Sequence, residues 1–171
     1  MRAEIEQAVA SKKIDDLARL LAGARSPGIR FAARRVVELS SEEADLQGTA
    51  AELADRAEPP LRQLASILCI AAYPEGPEEA FDLLSRLLCD RDAPVRDAAA
   101  ESCGRLLDAH FGPALVHLAG WLDHPAPTVR RAVLLAATVA AHRSHVERAE
   151  PLLRLVAPLL ADRDPLVRHA A

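Results

Sequence analysis

The chain has 171 residues, enough for one domain or one continuous run of repeats but hardly for two independent cores. Half of the residues (50%) are hydrophobic and only 3% are aromatic, so Leu, Ala and Val carry the apolar content, a mixture that suits closely packed helices and argues against a β protein. The formal net charge of −4 excludes an overall electrostatic pull toward nucleic acid or anionic membrane, so contact with either polyanion has to come from a local patch.

In chain order the predicted elements alternate between two kinds of helix. Leucine-rich stretches come first in each pair: Leu17, Leu20 and Leu21; Leu46 and Leu53; Leu83, Leu84, Leu87 and Leu88; Leu115, Leu118 and Leu122; Leu152, Leu153, Leu155, Leu159 and Leu160. Each is followed by a segment of a second kind: SPGIRFAA from Ser26, EPPLRQLA from Glu58, DAPVRDAA from Asp92, APTVRRAV from Ala126 and DPLVRHAA from Asp164. Their first positions lie 32, 34, 34 and 38 residues apart, the period of a helical repeat array.

Each column of the aligned segments has a physical meaning. The opening residues include Ser, Glu and Asp, acceptors suited to the free amides of a helix start. Proline follows at Pro27, Pro59, Pro127 and Pro165, where a first helical position loses no hydrogen bond. An apolar residue comes two positions later, then an arginine in every repeat: Arg30, Arg62, Arg96, Arg130 and Arg168. Second helices are therefore expected to begin near Ser26, Glu58, Asp92, Ala126 and Asp164, with more than about 60% helix and no sheet in the chain. Looser connections around Ser40 to Glu42, Tyr73 to Pro77 and Arg143 to His145 join one pair to the next. The equivalent apolar positions Leu84, Leu87, Leu88, Val95, Ala98, Leu118, Val129, Ala132 and Leu159 form the expected core. A lone helix pair cannot bury its apolar face, so the fold class is an all-α solenoid of about five antiparallel pairs, a single domain over residues 1–171 with its last repeat incomplete.

The three cysteines, Cys69, Cys89 and Cys103, are widely spaced and form neither a disulfide framework nor a CxxC pair, which fits a reducing cytoplasm. The apolar runs fall short of the roughly 18 residues that a membrane crossing needs, so no membrane partner is expected. His142 with His145, and His110, His117 and His124 at sevens, do not make a metal site. No Gly-rich phosphate loop or nucleophile triad is readable, and no cofactor is expected.

The run LLSRLLCDRDAPVRDAAAESCGRLL resembles a HEAT repeat, in which a leucine-rich helix leads through a short acidic turn into a helix opening with Val-Arg and alanines. From about Glu58 onward the succession RQLASILCIAAYPE, WLDHPAPTVRR and LLADRDPLVRHAA is similar to the AlkD-type DNA alkylation repair glycosylases. That resemblance implies a tryptophan followed by an Arg-Arg pair, matched by Trp121, Arg130 and Arg131. It also implies an acidic catalytic residue one repeat earlier, matched by Asp97, which would stabilise the positive charge developing on deoxyribose as a cationic base leaves. One of the two arginines would hold a backbone phosphate. Where that family carries aromatic residues beside the acid and before the Arg pair, this chain has Ala93 and Thr128, so efficient base excision is not expected.

The leading expectation is a binding module: Arg62, Arg96, Trp121, Arg130, Arg131 and Arg168 line a concave face that grips protein or DNA. An alkylpurine-DNA glycosylase of reduced activity using Asp97, and a protein-protein adaptor whose arginines pair with turn acids such as Asp92 and Asp164, are the alternatives. Arg34 and Arg35 could extend a basic stripe. The second helix after Asp164 has room for only about two turns, so the chain is expected either to belong to a longer repeat protein or to cover this edge by self-association, with fraying from about Val167 otherwise.

Overall fold

Proline sets the start of the second helices. In the computed structural model, which describes residues 2–11, 13–24, 26–40, 46–141 and 145–171, α5 (Pro59–Ala72), α7 (Ala93–Ala109), α9 (Pro127–Ala140) and α11 (Pro165–Arg168) each carry proline at the first or second helical position. Glu58, Asp92, Ala126 and Asp164 are the flanking cap residues, all in extended backbone, and α3 (Ser26–Leu39) opens at Ser26. All five starts fall where the repeat spacing puts them. Helix accounts for 79% of the described residues, and no strand occurs among them.

The remaining helices are α1 (Arg2–Ala10), α2 (Ile14–Leu21), α4 (Leu46–Ala54), α6 (Pro77–Leu88), α8 (Phe111–Ala119) and α10 (Ala149–Val156), the last continued by a 3-10 turn at Ala157–Ala161. The chain divides into two units, residues 1–83 and 84–171, with the boundary inside α6. In the first unit α4 lies along α5, α3 packs against both α1 and α5, and α2 touches α1 and α5. Ile5, Leu21, Ile29, Leu61, Leu64 and Leu68 fill its interior. Tyr73 and Phe81 meet edge to face, 6.0 Å between centroids, and close the turn before α6.

In the second unit α7 lies broadly against α9, and α9 against α11, while α8 packs on α7 and α10 on α9 and α8. Gly104 permits the α7–α9 approach: a Cβ there would stand 2.6 Å from Cβ of Val139. Leu84, Leu87, Leu88, Val95, Leu118, Val129, Ala132 and Leu159 are buried as expected. Ala98 is not; it is half-buried, and Ala99 and Ala100 go inside instead. The buried stripe of α7 runs through Val95, Ala99, Cys103 and Leu106, which leaves Ala98 at its edge. Its counterpart Ala132 is buried because α9 is covered by α7 and α11 together.

The last helix is shorter than expected. Instead of about two turns from Asp164, α11 is a single turn, Pro165–Arg168, ending in a tight turn where Ala170 N–H donates to Val167 O at 3.0 Å. Val167 is nevertheless fully buried. Two of the expected looser connections lie partly outside the described residues, at 41–45 and 142–144; the third is the turn Tyr73–Gly76. No described helix is long and apolar enough to cross a membrane. Cys69 and Cys103 are buried, and Cys89 is exposed.

Candidate functional site

The repeated arginine sits in the first turn of its helix and reaches back over the preceding turn. Arg62 Nη1 donates to the carbonyls of Arg56 (2.9 Å) and Ala57 (2.6 Å). Arg96 Nη1 donates to Asp90 O (2.7 Å) and Arg91 O (3.0 Å), and Arg130 Nη1 to His124 O (2.6 Å) and Pro125 O (3.2 Å). Arg168 Nη1 donates to Asp162 O at 2.6 Å. One guanidinium thus ties the carbonyls five and six residues upstream to the helix that follows, and charge-assisted bonds of this kind are worth about 1.5–3 kcal/mol each.

In the last three repeats the same upstream residue supplies the other half of the clamp. Asp90 Oδ1 accepts from the Asp92 amide at 2.8 Å, His124 Nδ1 from the Ala126 amide at 3.1 Å, and Asp162 Oδ1 from the Asp164 amide at 2.8 Å. Side-chain capping from the first motif position, expected for the Glu and Asp there, is absent at Glu58 and Asp92 and present at Asp164, which accepts from Leu166 N. The working acceptor stands two residues earlier, in a short Asx-type turn.

Arg130 has a second engagement. Its Nε and Nη2 donate to Asp162 Oδ2 (2.7 Å) and Oδ1 (2.9 Å), and both side chains are nearly sealed from solvent, 4% and 6% exposed. The Arg130 guanidinium holds the Asp162 carboxyl well down, from 3.8 to about 2, with burial opposing and the Asp164 amide assisting. Arg130 is in turn pushed up, first by its hydrogen bonds to Asp162. The expected arginine ladder therefore takes a different form for this residue: Arg130 pairs with the turn acid of the following repeat, and Arg168 takes the carbonyl of Asp162 while the Asp164 carboxylate caps its own helix.

The candidate residues fall into three groups by exposure. Arg62 and Arg130 are buried; Arg96, Arg131 and Trp121 are half-buried; Arg168 and Asp97 are exposed. Trp121 lies in the turn after α8, its amide on Leu118 O. Arg131 is one residue beyond Arg130, about 100° further round α9, which turns it away from the Arg130–Asp162 pair. Asp97 stands directly after Arg96 as Arg131 stands after Arg130, so the two occupy the same register of helices that lie side by side. Sequence reasoning missed Asp90, His124 and Asp162; their signal is an acceptor two residues before each of the last three motifs. Among the described residues no group of three or more His, Cys, Asp or Glu gathers to hold a metal.

No curated protein and no solved structure shows a significant match. The family model described as DNA alkylation repair enzyme matches residues 2–171, essentially the whole chain. The chain belongs to the DNA alkylation repair enzyme family.

Proposed function

We propose that this protein is a DNA-backbone binding module whose helix pairs stack, within each unit, as HEAT-like repeats with the second helices on the binding side. Membership of the DNA alkylation repair enzyme family along residues 2–171 carries the reading. In the second unit, Arg131 holds a backbone phosphate, with Arg96, Arg168 and Trp121 contributing to the face, while Arg62 and Arg130 keep the turns in place. The DNA contact is thereby local, as a chain of net charge −4 requires.

A second reading, an alkylpurine-DNA glycosylase, is favoured by one observation: Asp97 is exposed in the early part of α7, in register with Arg131. A carboxylate there is able to face a sugar that gains positive charge. Against it, Ala93 and Thr128 provide no ring to stack a displaced base. An adaptor reading draws on the carbonyl clamps, which occupy arginine donors that DNA would otherwise use.

Fluorescence anisotropy with a plain duplex and an alkylated duplex of the same sequence tests the choice. Backbone binding predicts equal affinity for both, weakened by Arg131→Ala. A preference above tenfold for the alkylated duplex supports the glycosylase instead, and binding to neither supports the adaptor.

A further inference from the structure

The first unit carries an arginine-aromatic cluster that the reading above does not use. The guanidinium carbon of Arg2, from α1, lies over the Phe31 ring at 5.3 Å from its centroid, and that of Arg34 lies over the same ring at 5.7 Å. Two cations from different helices are thus held within about 11 Å of each other by one phenyl group. Both arginines are exposed and Phe31 is half-buried.

Three features of this cluster suit a phosphodiester backbone. The first is charge: α3 carries Arg30, Arg34 and Arg35 against Glu38, and α9 carries Arg130 and Arg131 with no acid, the largest positive surpluses among the described helices. Within α3 the acid is drawn mainly to Arg35, which bonds Glu38 and also lies 3.5 Å from Glu6, while Arg34 Nε stands 3.6 Å from Glu38. The second is donor geometry. A guanidinium presents its N–H donors in a planar fork, the arrangement that binds phosphate oxygens in pairs. The third is register: Phe31 follows Arg30 in its motif as Asp97 follows Arg96 and Arg131 follows Arg130. The ring therefore stands at the repeat position that bears the proposed DNA contact in the second unit.

We infer that Arg2, Phe31 and Arg34 form a second contact for the DNA phosphate backbone, in which Phe31 holds the two guanidiniums ready and the arginines neutralise phosphates. This rests on the DNA-binding reading above. Unlike Arg131, the cluster gains its grip from a pair of cations on one ring, so Arg2→Ala with Arg34→Ala removes two phosphate contacts at once. Phe31→Leu leaves both charges and frees their geometry.

Binding of a fluorescent duplex between about 50 and 200 mM salt tests the inference, with wild type, Arg2→Ala/Arg34→Ala, Phe31→Leu and Arg131→Ala compared. Each phosphate contact adds about 0.9 to the slope of log K against log salt. The double variant is expected to have a slope shallower by about 2, and Phe31→Leu weaker affinity with melting temperature within a few degrees of wild type. A double variant that matches wild type in slope and affinity, while Arg131→Ala is weakened, overturns the second contact alone. Absence of salt-dependent binding by wild type overturns both this contact and the reading on which it rests.

Discussion

Arg130 and Asp162 meet through two nearly parallel hydrogen bonds, 2.7 and 2.9 Å long, across 32 residues of chain. They tie the start of α9 to the turn that launches α11, and the Arg130 fork also clamps the turn before its own helix. Removing one partner leaves a buried charge without its counterion. Arg130→Ala is expected to cost about 3–5 kcal/mol, read from urea unfolding. A double replacement by apolar residues should cost less than the two single losses combined, and strict additivity would show that the pair is not coupled.

The pair also sets an acid limit. Asp162 titrates at about 2 in the folded protein against an ordinary 3.8, so its stabilising contribution is complete above the higher value and disappears as pH falls through the lower one. The stability difference between wild type and Asp162→Asn should be constant from pH 8 to 5 and narrow between about pH 4 and 2. A difference that persists unchanged at pH 2 contradicts the pairing.

Gly104 sits where α7 and α9 come closest. Alanine would gain about 1 kcal/mol of helix propensity, but its Cβ would press on the Cβ of Val139, a β-branched atom that moves only with its backbone. Overpacking of about 1–3 kcal/mol outweighs the gain, so Gly104→Ala should lower the thermal midpoint. A raised midpoint would mean that the two helices separate freely.

Leu87 is 2% exposed, on the inner face of α6. Leu87→Ala should cost about 2–5 kcal/mol in chemical denaturation. A change near zero would place a cavity or solvent where packing is described.

Asp97 is expected to lack partners for base excision, since the neighbouring positions Ala93 and Thr128 carry no ring. Incubation with alkylated duplex DNA should release no methylated purine above the rate of DNA alone. Release that disappears in Asp97→Asn would establish the glycosylase chemistry instead.

The helix starts were legible because they depend on local chemistry: proline at a first helical position and an apolar-Arg pair close behind it act within a few residues. The core was legible wherever a helix is covered as broadly as α9, and failed at Ala98, where the edge of a stripe depends on which neighbour lies beside it. The turn clamps were not legible. Whether an arginine binds a carboxylate four residues away or carbonyls five and six residues away is set by the path of the turn, not by residue type. The Arg130–Asp162 pair depends on how α9 and α11 lie together, a tertiary fact that a spacing of 32 residues does not announce. Arg130 and Arg131 are identical in type and adjacent, yet burial separates them.

That separation makes Arg131 the residue on which DNA binding can be tested without disturbing the buried pair. A salt titration of duplex DNA binding by wild type and Arg131→Ala, at matched folded fraction, reads the number of phosphates that the face neutralises. A linear fall of log K with log salt is expected for wild type, with a slope shallower by about 1 for Arg131→Ala, at an unchanged melting temperature. Equal slopes for the two proteins, or no salt-dependent binding by wild type, would contradict this expectation.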